Sequence, residues 1–159
     1  MVFDEPLEGY DNVYSMSYSA NEGSFLAGMA AASASDTGVI GFIGGADSTV
    51  VNDSLVGYLE GAAYVNPDVK AVVSYTGNWD DSAKGKELAL AQYNAGADII
   101  FQLASNAGVG VFEAAKETGN WQLVQIQISP RFLKKAIRKK QSNSYKFTKK
   151  SRCFIIECL

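Results

Sequence analysis

Three short apolar runs, each closed by small or turn-forming residues, dictate what this chain can fold into. They are "TGVIGFIGGAD" (Thr37 to Asp47), "VKAVVSYTG" (Val69 to Gly77) and "ADIIFQLA" (Ala97 to Ala104). β-branched enrichment and glycine punctuation make each a buried strand rather than a helix. Between them lie stretches with helical spacing. "DSLVGYLEGAAYV" sets Leu55, Val56, Leu59, Ala62 and Ala63 on one side and stops at "NPD". "SAKGKELALAQYNAG" reads as a helix with Ser82 as N-cap and Gly96 just past its end, and "GVGVFEAAKETG" as another ended by Gly119. Upstream, "NVYSMSYS" alternates like a strand and "NEGSFLAGMAAASAS" reads as an Ala-rich helix. Strands alternating with helices of about a dozen residues imply crossover units, hence an α/β, doubly wound parallel sheet covered on both faces.

Charge divides the chain unevenly. Four Lys against sixteen Asp and Glu leave residues 1–129 at −12, whereas ten Lys and Arg against Glu157 leave residues 130–159 at +9. An acidic body is a poor surface for nucleic acid, whose affinity comes from cationic contacts to phosphate. A basic arm remains the one feature that could take nucleic acid, but runs of Lys and Arg are often only solvated, and no nucleic-acid partner is expected. The chain has no His, and its two cysteines, Cys153 and Cys158, both fall in the basic segment. The acidic body therefore has no Ser-His-Asp relay, Cys nucleophile or Cys/His zinc site, and neither enzymatic activity nor a cofactor is expected. Its apolar runs are too short to span a bilayer, and the opening "MVFDEPLEGYDN" does not read as a secretory signal.

Ligands of such sheets sit beyond the carboxyl ends of the strands, which selects Gly44 to Asp47, Thr76 to Asp81 and Ala104 to Gly110. "GFIGGAD" runs G-x-x-G-G from Gly41, not the dinucleotide pattern, so an NAD-type enzyme is the weaker alternative. Asp47 reads as a helix cap or a partner for a ligand hydroxyl. Trp79, in "YTGNWDD", is either a lid on the core or an aromatic face for a flat ring. "ASNAGVG" joins small residues to a helix start, where free N–H groups suit an anion or a sugar hydroxyl and Gly108 and Gly110 allow close approach. Lys84 and Lys86 could hold an anion, but with Asp80 and Glu87 near them they read as solvated helix charges.

In order, "EGSFLAGMAA", "TGVIGFIGGAD", "GYLEGAAYVNPDV", "YTGNWDDSAKGKELALAQYNAGADIIFQLA" and "GVGVFEAAKETGNW" resemble the basic membrane protein family, of the purine nucleoside receptor type. Its members are lipoprotein substrate-binding components of ABC importers on the outer face of the plasma membrane. The resemblance runs from about Leu7 to Trp121. It implies one lobe of a type I periplasmic-binding-protein fold, with permease subunits as partners and a purine nucleoside as ligand. It also implies that Trp79 stacks on the base and that Asp47, Ser105, Asn106 and Gly108 line the same face. Residues 1–20 are then a remnant of the first lobe and crossover, residues 21–121 the second lobe, and residues 122–159 a poorly ordered tail. The signal peptide, the lipidated cysteine and most of the first lobe expected of an intact member have no counterpart in this sequence.

The family strand that follows reads roughly W-A-I-G-V-D-x-D-Q, its first Asp a ribose ligand, where this chain has "WQLVQIQIS". Read one base out of frame, the codons after Trp121 permit Ala, Ile, Gly, a small residue, Asp or Asn, a further small residue, Asp or Asn, and Gln. One lost G after the Trp121 codon thus accounts for both the missing motif and the change in composition. The tail is expected to be a frameshift product that leaves the chain impaired.

Overall fold

The computed structural model describes residues 2–3, 9–16, 19–126 and 153–157. Two elements near the start, β1 (Val2–Phe3) and β2 (Ser15–Met16), pair in parallel as a small sheet of their own. Among the described residues of "NVYSMSYS", two are extended as a strand. Helix α1 (Ala20–Ala34) follows, and then the crossover units: β3 (Val39–Gly44), α2 (Thr49–Val65), β4 (Lys70–Tyr75), α3 (Ser82–Asn94) and β5 (Ile99–Leu103). A 3-10 turn (Ser105–Ala107) leads directly into α4 (Gly108–Thr118), and the chain returns as β6 (Trp121–Ile126). The main sheet has the order β4-β3-β5-β6-β7, with β7 (Cys153–Glu157) at one edge and every pairing parallel.

Alternation along the strands builds two cores, as a sheet covered on both faces requires. Ile40, Phe42, Ile99, Phe101 and Leu123 face α1 and α2, where they meet Ala27, Ala31, Val51, Tyr58 and Ala62. The intervening Ile43 and Ile100 face α3 and α4, against Ala89, Tyr93, Val111, Ala114 and Ala115. Burying each large aliphatic or aromatic side chain contributes about 1.5–3 kcal/mol, and these faces hold the layers together. Gly61 has no room for a Cβ against the Phe25 carbonyl, nor Gly57 against that of Asn21, so the backbones of α1 and α2 touch. Gly85 and Gly110 do the same for α3 and α4, meeting the carbonyls of Ala107 and Ser82. At the amino ends of the strands, the Asp98 carboxylate accepts from Ser35 Oγ at 2.8 Å and from the backbone N–H groups of Asp36 and Thr37 at 2.6 and 3.0 Å.

Two expectations are corrected. A tail starting at residue 122 is too early, because Gln122 and Leu123 are fully buried in β6, which continues to Ile126. Leu123 falls on the α1–α2 face by period two and completes that core, which is why the strand forms. Residues 153–157 also pair, from Gln122↔Cys153 to Ile126↔Glu157; the rest of the tail, Cys158 included, lies outside the described residues. The N-cap of α3 is Asp81, whose Oδ1 accepts from Lys84 N at 2.9 Å, rather than Ser82, the first helical residue. A carboxylate at this position also complements the helix dipole. Gly96 and Gly119 hold φ of 101° and 76°, the left-handed conformation that ends α3 and α4.

Candidate functional site

The carboxyl ends of three adjacent strands coincide. Gly44 lies opposite Tyr75 of β4 and Leu103 of β5, so the loops after β3, β4 and β5 leave the sheet side by side. Backbone bonds stitch them together: Gly45 N donates to Leu103 O at 2.9 Å, Thr76 N to Gly44 O at 2.9 Å and Ala107 N to Trp79 O at 2.9 Å. This edge holds all five residues singled out from the sequence.

Trp79 is 40% exposed, and its indole lies over Gly45, where an added Cβ would collide with the ring. Beneath it Thr76 is buried, its hydroxyl reaching the carbonyls of Gly45 at 3.0 Å and of Asn78. Asn78 Oδ1 accepts from the N–H groups of Asp80 and Asp81 at 3.1 and 2.8 Å, which closes the turn carrying the ring. The six-membered ring of the indole therefore packs against the Gly45 backbone, while part of the side chain stays open to solvent.

Polar groups of all three loops share this edge with the ring. Asp47 is exposed and accepts from Asn52 Nδ2 at 2.7 Å, while Asn52 Oδ1 accepts from Tyr75 OH at 2.7 Å. Asp47 is not the cap of α2; Ser48 occupies that position without a side-chain bond. Burial first, and then the Asp47 carboxylate, push the Tyr75 phenol above its ordinary value. Between the other two loops, Asn106 Nδ2 donates to Asp80 Oδ1 at 2.9 Å, and both residues are exposed.

Ser105 is exposed with φ of 50°, the one described non-glycine residue in the left-handed region. Gly108 differs from its expected place: it is buried, and a Cβ there would strike the Gln102 side chain. Its N–H bonds back to Ser105 and Asn106 carbonyls, and the neighbouring Ala107 N–H is taken by Trp79 O. Gly108 and Gly110 thus serve close packing under the loop and against α3, and this helix start offers fewer free N–H groups than the sequence suggests. Lys84 pairs with Glu87 at 3.0 Å, and Lys86 with Glu117 at 2.9 Å and Glu113 at 3.7 Å, as helix-surface charges. Hydrogen bonding to Glu117, the leading cause, raises the Lys86 ammonium further above its ordinary value. Asn52 and Tyr75 are members of this edge outside the segments selected from the sequence, whereas Thr76 and Asp80 fall inside the segment Thr76 to Asp81 without having been given a role there.

The arrangement offers a flat aromatic face between two exposed carboxylates and side-chain amides. It suits a planar, uncharged or hydroxyl-bearing ligand better than an anion. Among the described residues no group of three His, Cys, Asp or Glu could hold a metal ion, and no helix is long and apolar enough to cross a membrane.

This doubly wound parallel sheet, with its candidate site at the carboxyl edge, is one lobe of a type I periplasmic-binding-protein fold, the class of the solute-binding protein it superposes on. A match to the family described as "Bmp: ABC transporter substrate-binding protein PnrA-like" covers residues 1–128, and the chain belongs to that family. It is 42% identical over 116 residues to the "ABC transporter nucleoside-binding protein BmpA" of Lactococcus lactis, covering 73% of this chain and 33% of that protein. With "Basic membrane protein D" of Borreliella burgdorferi it shares 38% identity over 156 residues, 94% of this chain and 46% of that protein, an alignment that extends past Trp121. A solute-binding protein of an ABC transporter system from Aeropyrum pernix superposes with a TM-score of 0.73 at 29% identity, over 79% of this chain and 39% of that one. The chain thus spans a third to just under half of the curated relatives it matches.

Proposed function

We propose that this chain forms the second lobe of an extracytoplasmic substrate-binding protein and carries half of a purine nucleoside site, with Trp79 stacking on the base. The observation that carries this reading is the Trp79 indole at the strand ends, packed against Gly45 and 40% exposed. Asp47, Asn106 and Ser105 are the groups within the same edge suited to ribose hydroxyls, with Asp80 holding Asn106 in place. Nucleoside binding by the BmpA relative is consistent with such a ligand. In the intact protein the partners are a first lobe, which supplies the opposing wall, and the permease subunits of the importer. A lipid anchor would hold that protein on the outer face of the membrane.

One stacked face contributes about 1–3 kcal/mol. By affinity arithmetic that alone corresponds to millimolar binding or weaker. Calorimetric titration of the 159-residue chain with guanosine and inosine is expected to show binding no tighter than about millimolar, lost in Trp79→Ala. Submicromolar affinity would show that one lobe suffices; weak binding that survives Trp79→Ala would remove the stacking role.

A further inference from the structure

We infer that Gly45 and Thr76 are positioning residues that preset the plane of the Trp79 indole before any ligand arrives. The inference rests on the reading of Trp79 as the stacking ring. A tryptophan 40% exposed on a loop has several rotamers open to it unless its surroundings remove them. Here they do so from three directions. The indole atoms Cε3 and Cζ3 lie where a Cβ of residue 45 would stand, so the ring can hold this position only because that Cβ is missing. The Thr76 hydroxyl shares its one proton between the Gly45 carbonyl, at 3.0 Å, and the Asn78 carbonyl. It thereby fastens the residue under the ring to the residue just before it in the chain. The Trp79 carbonyl in turn accepts from Ala107 N at 2.9 Å, which fixes its backbone to the loop after β5.

Thr76 is 8% exposed and its hydroxyl is occupied by protein carbonyls, so its part is to hold the ring rather than to meet a ligand. A ring held in its binding orientation loses little rotamer freedom when a base settles on it. A loose ring loses more, and affinity falls with that difference.

The test uses the full chain labelled with fluorinated tryptophan, whose two tryptophans give two fluorine NMR resonances, assigned with Trp79→Phe. Thr76→Val, which keeps the shape and removes the donor, should shift the Trp79 resonance towards the solvent-exposed position and leave that of Trp121 unmoved. Thr76→Ser should restore the parental spectrum, and Gly45→Ala should displace the Trp79 resonance again. An unmoved Trp79 resonance in Thr76→Val and Gly45→Ala overturns the inference, as does a Thr76→Ser spectrum altered like that of Thr76→Val. If Thr76→Val does not fold, which the Trp121 resonance reports, Gly45→Ala decides by the same criterion. Titration with guanosine then separates the two readings. The Trp79 response should need roughly three- to tenfold more guanosine in Thr76→Val than in the parent, and an identical response in both overturns the positioning role. If no variant responds to guanosine, as the weak binding of a lone lobe allows, the ligand-free resonances alone decide on Gly45 and Thr76.

Discussion

Gln122 lies directly opposite Ile100 in the sheet, fully buried on the face that α3 and α4 cover, and its side-chain amide finds no hydrogen-bond partner among the described residues. A buried amide in that state costs about 1–3 kcal/mol. Gln122→Ala or Gln122→Val is therefore expected to raise stability by about 1 kcal/mol or more, read as a higher urea midpoint. Alanine is also the residue that the shifted frame encodes at this position. An unchanged or lower midpoint would mean that an unseen partner satisfies the amide.

The frameshift is testable in its own right. Sequencing the DNA at the Trp121 codon should reveal whether one G separates this frame from the family motif. A chain with that base restored should melt at higher temperature and more cooperatively, because a central strand suited to both cores replaces "QLVQIQIS". Equal melting of the two chains would make the present tail a native part of the protein.

Asp98 ties the loop after α1 to the start of β5 through three accepted hydrogen bonds. Removing the carboxylate in Asp98→Ala orphans two backbone N–H groups and the Ser35 hydroxyl. A loss of about 2 kcal/mol is expected, measured by urea unfolding, with Ser35→Ala costing less because it removes one of the three bonds to the carboxylate and the bond that Ser35 Oγ accepts from Gly38 N.

Alkali should destabilise the fold through buried tyrosines. Burial, with Asp98 and Tyr93 adding, pushes the Tyr58 phenol far above its ordinary 10.0, and burial raises Tyr93 likewise. The unfolded chain releases these protons near pH 10 while the folded chain keeps them. Stability is therefore fully present below that pH and declines as pH rises above it. Comparing urea midpoints at about pH 9 and about pH 11 should show the fall. Tyr58→Phe should lessen it, with little cost at neutral pH because the Tyr58 hydroxyl has no partner to lose among the described residues.

The strands were legible because they depend on local chemistry: β-branched runs, and glycines such as Gly96 and Gly119 where φ must be positive. Trp79 was legible as a loop aromatic at a strand end, but not its attitude, which depends on Gly45 and Thr76 in separate segments. The Asp80–Asn106 bond likewise joins two loops whose nearness is a product of strand order. Ser82 was read as the cap of α3, and the cap fell to Asp81 because the turn that Asn78 builds brings its carboxylate to Lys84 N. Gly108 and Gly110 looked like ligand-facing glycines because sequence does not say whether the space beside a missing Cβ holds solvent or another side chain.

The contact of Gly57 and Gly61 with the carbonyls of α1 has a mechanical consequence. Two helices whose backbones interlock cannot slide past one another without lifting apart, and at Gly57 and Gly61 no side chain stands between them to absorb a shift. This half of the molecule therefore travels as a single plate. Sliding of α1 along α2 is closed to this fold, because the register of the pair is set by main chain against main chain.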